Sequence, residues 1–317
     1  MKKYTLTDET KEINGTVLRR IKATKTFSDV IEGTLGGWIE NELNLSHEGG
    51  CWVYDDAQVY GLAQVKDNAK ITKQASVYDN AIIDKDAQII SLSSVYGTSH
   101  VSDSALIGGW AHVCGRSYVR QRARVNTSAF VESSDISGAA QVWGGQVKDS
   151  TVFGNASIGE NAQVLQRSTI YGNATVQGRA MVRNANIMGH LQENAKVSGA
   201  VTIHPNALLR GDSVVEGSEL DIYYGTLGEQ THIQDQQDYL FIGKDPQALN
   251  LVIIRQKDGT ARVQCNGYGQ PPFSPANSNF YGSLSEFKNW ALERTQGTPV
   301  HEKYIKLMEY ISQNFPE

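Results

Sequence analysis

The chain has 317 residues, 40% of them hydrophobic and 20% charged, with a formal net charge of −5. This length allows one or two domains, and the acidic balance gives no general attraction for nucleic acid or an anionic membrane. No stretch approaches the roughly 20 apolar residues of a membrane-spanning helix, the polar N-terminus lacks a signal-peptide core, and the three scattered cysteines form no zinc-ligand pattern, so we expect a reduced cytoplasmic protein without a metal site.

Residues 1–50 are expected to form an N-terminal cap and the first coils, with a strand from Leu18 to Ala23 that leads into a repeat. The repeat is an aliphatic residue at every sixth position, and all fourteen members are Val or Ile. They are Val53, Val59, Val65, Ile71, Val77, Ile83, Ile89, Val95, Val101, Ile107, Val113, Val119, Val125 and Val131. An alanine or serine stands two residues before each of them from Ala57 to Ala129.

Strands explain this period, because alternate residues of a strand face the same side. The small and the aliphatic residue face inward, their neighbours face outward, and the last two of the six residues form a corner. Three corners close a triangular coil of about 18 residues, and β-branched side chains suit such stacked strands. Asparagines three residues after an inward aliphatic are expected to adopt positive φ at the corners. They are Asn68, Asn80, Asn155, Asn161, Asn173 and Asn206.

After Val131 the spacing falls to five in places, which we interpret as one-residue deletions that shorten corners without changing the core. The inward positions continue as Ile136, Val142, Val147, Val152, Ile158, Val164, Ile170, Val176, Val182, Ile187, Leu191, Val197, Ile203, Leu209, Val215 and Leu220. The sequence therefore predicts a solenoid of about ten coils over residues 51–222.

Residues 223–317 are predicted to form a small α+β domain with two helices. The predicted strands are Tyr239–Ile242, Leu251–Arg255 and Ala261–Cys265, the last two joined by a turn at Asp258-Gly259, and residues 270–275 form a loop. A capping box of Ser283 and Glu286 starts the first helix, which stops near Gly297. The second helix carries Val300, Tyr304, Leu307, Met308 and Ile311 at helical spacing. Their apolar faces are expected to close the solenoid end, with a substrate lid or a partner-binding surface as alternatives.

The hexads over residues 53–220 resemble those of the hexapeptide-repeat transferases, whose fold is the left-handed parallel β-helix. The expected fold class is therefore mainly β, a left-handed parallel β-helix with a small α+β C-terminal domain. The left-handed sense comes from the resemblance, because period alone does not give it. Segments 33–40, 44–55 and 280–287 also resemble end modules of phage and bacterial hexapeptide proteins of unknown function.

The family resemblance implies an acyl-CoA-dependent acetyltransferase that acts on a hydroxyl or an amine, with acetyl-CoA as co-substrate and a small molecule or a sugar as acceptor. It also implies a homo-oligomer, with a trimer expected, and a histidine general base in the cleft between subunits. The candidates for the base are His112, His100 and His204. His100 and His112 each precede an inward valine and so face outward, on different walls. We prefer the wall of His112, which also carries Cys114; a surface histidine without a catalytic role is the alternative for each candidate.

Two other outward clusters are candidates for binding. Arg116, Arg120, Arg122 and Arg124 lie on one coil and are candidates for contacting the phosphates of a CoA-like ligand; a solvated face or an intersubunit salt bridge is the alternative. Tyr60, Tyr78 and Tyr96 are spaced by one coil and should stack on one wall, as structural support, as an oligomer interface or as a ligand surface. Phe153 and Tyr171 repeat this spacing on another wall.

Two functions compete at this point. The first is the acetyltransferase that the resemblance implies. The second is a non-catalytic structural or binding rod of phage origin that displays surfaces for a protein or a carbohydrate. The second is favoured by the regular rungs from Val53 to Leu220, because they leave no room for a long loop that could build an acceptor site.

Overall fold

The computed structural model describes residues 2–243, 250–266, 279–298 and 301–315. The protein is mainly β and contains a parallel β-solenoid of about 11 turns with a small C-terminal α+β region, so the predicted fold class is confirmed. The predicted number of coils was about ten. The chain forms two compact units, residues 1–177 and 178–317.

In the first unit, the coils form three walls of short parallel strands, in which each strand pairs with the strand one coil later. Wall A consists of Gln58–Val59, Ser76–Val77, Ser94–Val95, His112–Cys114, Phe130–Glu132, Gln146–Lys148 and Gln163–Leu165. Wall B consists of Gln64–Val65, Ile82–Ile83, His100–Val101, Tyr118–Val119, Asp135–Ile136, Thr151–Val152 and Thr169–Ile170. Wall C consists of Trp52–Val53, Lys70–Ile71, Gln88–Ile89, Leu106–Ile107, Arg124–Val125, Gln141–Val142, Ser157–Ile158 and Thr175–Val176.

The buried residues are those that the six-residue repeat predicts to face inward. Every aliphatic position from Val53 to Val131 is fully buried, and so are the alanines two residues earlier. Each buried aliphatic side chain contributes about 1.5–3 kcal/mol of gross hydrophobic stabilisation, most of which offsets the cost of ordering the chain. The inward assignment is therefore confirmed.

The corners depart from the prediction by one residue. Positive φ occurs two residues after the inward aliphatic, for example at Asp67 (φ 55°) and Asp79 (φ 59°), and none of the six predicted asparagines has it. Asn68 instead uses its side chain between coils: its Oδ1 accepts from the Gly50 amide at 3.1 Å, and its Nδ2 donates to Asp86 at 3.2 Å. The prediction was wrong because asparagine at this position forms polar ladders between coils.

The solenoid begins before Val53. Strands Tyr4–Ile13 and Thr16–Ala23 form an antiparallel hairpin, which pairs with Leu35–Ile39. That third strand also pairs in parallel with the first strand of wall A, which makes Ile39 an early rung. A 3-10 turn at Glu42–Asn44 follows it.

Lys3 is buried at this end of the solenoid. The residue is 1% exposed, and its ammonium donates to the carbonyl of Cys51 at 2.8 Å and to those of Glu48 and Gly49 at 3.3 Å each. Burial lowers the pKa of Lys3. The carbonyls of the first coil are therefore satisfied by one buried cation.

The second unit contains the later coils, formed by parallel strands that extend through the corners. They are Met181–Ile187, His190–Leu191, Lys196–Leu209, Val214–Leu227 and His232–Ile233. The inward residues from Val182 to Leu220 are buried, as predicted. Parallel pairing continues to Ile233.

A four-stranded antiparallel sheet follows a 3-10 turn at Gln236–Asp238. Its strands are Tyr239–Ile242, Asn250–Arg255, Ala261–Asn266 and Asn279–Ser283. The first three were predicted to within one residue, the fourth was missed, and the predicted loop at 270–275 lies outside the described residues. Helices α1 (Leu284–Thr295) and α2 (His301–Asn314) complete the unit.

The predicted start of α1 is confirmed, because Ser283 Oγ accepts from the Glu286 amide and Glu286 accepts from the Ser283 amide. The apolar faces of the two helices pack on the sheet around Phe287 and Ile311, together with Leu251. In the described residues, the sheet contacts the last strands of the solenoid, and Gln264 joins it to strand Val214–Leu227 by bonding both backbone groups of Thr226.

Candidate functional site

Wall B of the first unit carries a histidine, a tyrosine and a carboxylate that face outward. His100 pairs in register with Tyr118, Tyr118 with Asp135, and Asp135 with Thr151, so these four side chains form one outward column. The column runs beside the corner that joins walls A and B. Sequence phase therefore places an imidazole, a phenol and a carboxylate next to one another.

The His100 imidazole is held by a carboxylate. Its Nε2 lies 2.8 Å from Oδ2 of Asp84, which faces outward one coil earlier. Asp84 Oδ1 is buried without a hydrogen-bond partner in the described part of the protein. An imidazole whose Nε2–H donates to a carboxylate keeps Nδ1 free as a base. This is the arrangement of a general base with an orienting group.

A recess lies at the A–B corner next to this column. Two successive coils have one residue fewer there, since the spacing is five from Val131 to Ile136 and again from Val147 to Val152. Ser133 and Asp149, with φ of 50° and 48°, each make the corner alone. The coils on either side keep corners of full length. The shortened corners thus leave a groove of about 410 Å³.

The recess is lined by charged, aromatic and hydroxyl groups. Its residues are Arg116, Tyr118, Ser133, Ser134, Asp135, Asp149, Ser150, Thr151 and Arg167. Arg116 and Arg167 belong to the full corners on its two sides. Asp135 accepts an ion pair from Arg120, while its other oxygen is buried without a partner among the described residues. The Tyr118 side chain is 43% exposed.

Serines replace alanine behind the recess. On wall B the small inward residue is Ser99, Ser117, Ser134, Ser150 and Ser168 in five successive coils, all nearly fully buried. The Ser134 hydroxyl donates to the Glu132 carbonyl at 2.7 Å and accepts from the Ser150 amide at 3.1 Å. At the two shortened corners, the Ser134 and Ser150 hydroxyls thus bond the backbone, and the Ser134 hydroxyl is the acceptor for the Ser150 amide.

Wall A carries a different set of side chains. The rings of Tyr60, Tyr78 and Tyr96 stack with centroids 5.1 and 4.9 Å apart and nearly parallel planes, as predicted; we call them the tyrosine ladder. Burial raises the pKa of Tyr78 to about 12 and also raises that of Tyr60. For Tyr96, burial and a hydrogen bond with Cys114 raise the pKa. The ladder is therefore half-buried and supports its own wall.

His112 lies at the other edge of wall A. It is exposed, with the rings of Tyr96 and Phe130 at 6.3 and 6.5 Å. Within the described residues it has neither an ion pair nor a hydrogen-bonded carboxylate. The structure thus places His100 and His112 on different walls, as predicted, and gives only His100 an orienting partner.

The four candidate arginines do not converge. Arg116 borders the recess, and Arg120 is paired with Asp135 on wall B. Arg122 follows at the next corner, and Arg124 faces outward on wall C.

His204 belongs to the second unit, where it also has a carboxylate partner. Its Nε2 lies 3.1 Å from Asp221, and its ring stacks on Tyr223 at 4.2 Å. His232, which the sequence placed outside the solenoid, lies in the last coil with Nε2 2.8 Å from Glu216. A diagonal carboxylate one coil away is thus a recurrent environment for outward histidines.

Two absences apply to the part of the chain that the structure describes. No group of three or more His, Cys, Asp or Glu side chains there could hold a metal ion. In the same residues, no helix has the length and apolar character needed to cross a membrane.

No protein-family model matches the chain. One curated relative is the "Uncharacterized acetyltransferase YdcK" of Escherichia coli (strain K12), which is 43% identical over 81 residues. The match covers 23% of this chain and 25% of that relative, so the chain matches about a quarter of the relative's length. The repeat, the parallel β-solenoid and this local identity together make the chain similar to the hexapeptide-repeat transferases.

Proposed function

We propose that this protein transfers an acetyl group from acetyl-CoA to a hydroxyl or an amine of a small molecule, with His100 as the general base. The observation that carries the proposal is the His100–Asp84 pair on an outward wall of the solenoid. The local similarity to a protein described as an acetyltransferase supports the reaction class. His100 replaces His112, the candidate that the sequence favoured, because His112 lacks an orienting carboxylate among the described residues.

The residues of this wall have separate roles in the proposed reaction. His100 Nδ1 takes the proton from the acceptor as its oxygen or nitrogen bonds to the acetyl carbonyl carbon. Asp84 holds the opposite N–H and stabilises the imidazolium that forms. His100 then returns the proton to the thiolate that leaves when the carbon–sulfur bond breaks. Arg122 and Arg124, which have no ion-pair partner among the described residues, are available to the phosphates of the co-substrate.

Acetyl-CoA consumption with a panel of sugar and amine acceptors tests this proposal. His100→Ala should lower the rate about 10²–10⁴-fold, and Asp84→Asn should lower it less because the imidazole remains. His112→Ala is the matched control and should leave the rate unchanged. If the His100 and His112 variants have equal rates, His100 is not the base.

The tyrosine ladder favours a second candidate, a contact surface of a non-catalytic rod. Three parallel half-buried rings form a flat apolar strip on wall A, and such strips suit contacts between copies or with a carbohydrate. The homo-oligomer, with three copies by resemblance, belongs to this proposal. Light scattering of a variant with Ser at all three positions tests it: a lower mass supports a contact between copies, and an unchanged mass removes it.

A further inference from the structure

The shortened corner between walls A and B leaves space for an acceptor on the solenoid surface. An acceptor site on a solenoid is expected to need an inserted loop, and the rungs from Val53 to Val176 contain none. In this protein no loop is inserted; two successive coils each lack one corner residue, and the recess lies where these residues are missing. The recess begins at Tyr118, whose strand pairs directly with that of His100. A small molecule in the recess would therefore lie beside the proposed base.

The recess has cations on its two sides. Arg116 and Arg167 occupy the full corners that flank the shortened ones, three coils apart. Neither has an ion-pair or hydrogen-bond partner for its guanidinium among the described residues, whereas Arg120 is paired with Asp135. Unpaired guanidiniums at a groove favour a ligand with a carboxylate or a phosphate.

The rest of the lining favours a ligand with hydroxyl groups and a ring. Asp135 and Asp149 contribute carboxylates to the lining. One Asp135 oxygen is paired with Arg120 and the other is buried, whereas Asp149 is exposed. Carboxylates accept hydrogen bonds from hydroxyls. The exposed Tyr118 ring, 6.4 Å from the His100 ring, offers an apolar face on which a sugar ring can pack.

We infer that the recess binds the acceptor of the reaction, and that this acceptor is a sugar with an anionic group, either a carboxylate or a phosphate. The inference rests on the proposed function. Arg116 and Arg167 attract the anionic group from the two sides of the recess, Asp149 accepts from a ring hydroxyl, and Tyr118 directs one hydroxyl toward His100.

Calorimetry of the full chain with glucuronate, glucose 6-phosphate, inorganic phosphate and glucose tests the inference. One of the two anionic sugars should bind, at least about 10-fold more tightly than glucose and than phosphate alone. Arg116→Gln and Arg167→Gln should each weaken binding about 10- to 100-fold. Arg183→Gln, at an exposed arginine that does not line the recess, is the matched control and should bind as the wild type does.

Different results would overturn the proposed function and the inference about the recess. His100→Ala should still bind the anionic sugar, so binding without acetyl transfer in the wild type overturns the proposed function and leaves the recess as a sugar site. Equal affinity for glucose and its anionic forms, unchanged affinity in both arginine variants, or no binding at millimolar concentration overturns the recess inference. Since wild-type protein alone compares the ligands, this test does not depend on the folding of a variant.

Discussion

Wall A presents the tyrosine ladder and an exposed His112, whereas wall B presents His100 held by Asp84 beside a charged recess. The two walls share the same buried Val and Ile rungs and the same corner. They differ in their outward side chains, above all in the group diagonal to the histidine: Asp84 pairs with His100, whereas His112 has no carboxylate partner among the described residues. The buried rungs therefore stabilise the fold of both walls alike, while the outward side chains distinguish their surfaces.

The shared interior predicts the largest effect. Val95 is fully buried on wall A, with Val77 and Val113 one coil away on each side. Val95→Asp would bury an unpaired charge and should lower the free energy of unfolding by more than about 3 kcal/mol. Ser94→Asp, one residue away and facing outward, is the control and should cost less than about 1 kcal/mol. Equal urea midpoints for the two variants would refute the inward phase.

The aromatic residues of the two walls should behave oppositely. Tyr78 stacks on two rings, so Tyr78→Ser should lower the free energy of unfolding by about 1–3 kcal/mol without changing sugar binding. Among the described residues no ring stacks on Tyr118, so Tyr118→Ser should cost less stability but weaken sugar binding in the recess. Denaturant melts and calorimetry on the pair measure this. The reverse pattern would assign the ligand to wall A.

The serines behind the recess predict a smaller effect. Ser134→Ala removes a hydroxyl that bonds two backbone groups at the shortened corners, and should cost about 1–2 kcal/mol. Ser93→Ala, at a full corner where alanine is the usual residue, should cost less. Thermal unfolding of both variants is the measurement, and a larger loss for Ser93→Ala would contradict the account of the corner.

The smallest effect is a dependence on alkaline pH. The pKa of Tyr78 is raised to about 12, so the folded state keeps a proton that the unfolded chain releases near pH 10. This contribution is fully present below pH 10 and is lost as the pH rises toward 12. Tyr78→Phe should flatten the fall of urea midpoints between pH 10 and 11.5. An unchanged slope would mean that the ladder does not hold the phenol proton.

The sequence predicted which residues face inward, because the six-residue period gives the buried positions directly. Val95 and Ala105 are examples that the period alone identifies. It missed Ile39 and Leu45, both buried rungs, because eight residues instead of six separate Leu45 from Val53. Asp84 as the partner of His100 could have been found from the repeat, since the two face outward diagonally in adjacent coils.

The recess was harder to predict from the sequence. The five-residue spacings at Val131 and Val147 were visible, but we interpreted them as neutral deletions. A deletion shows that a corner is short; it does not show which side chains surround the gap. Arg116 and Arg167 are far apart in the chain, and only the stacking of coils places them on opposite sides of Asp149.

The proposed ligand site of wall B depends on the two residues that are missing from the A–B corner. One glycine inserted after Ser133 and one after Asp149 would restore full corners without altering any lining side chain. The account predicts that this variant keeps the thermal midpoint of the wild type to within a few degrees and loses calorimetric binding of the anionic sugar. A glycine inserted after Gly97, at a full corner of the same column, should leave binding intact. Undiminished binding in a folded variant with both corners restored would contradict the claim.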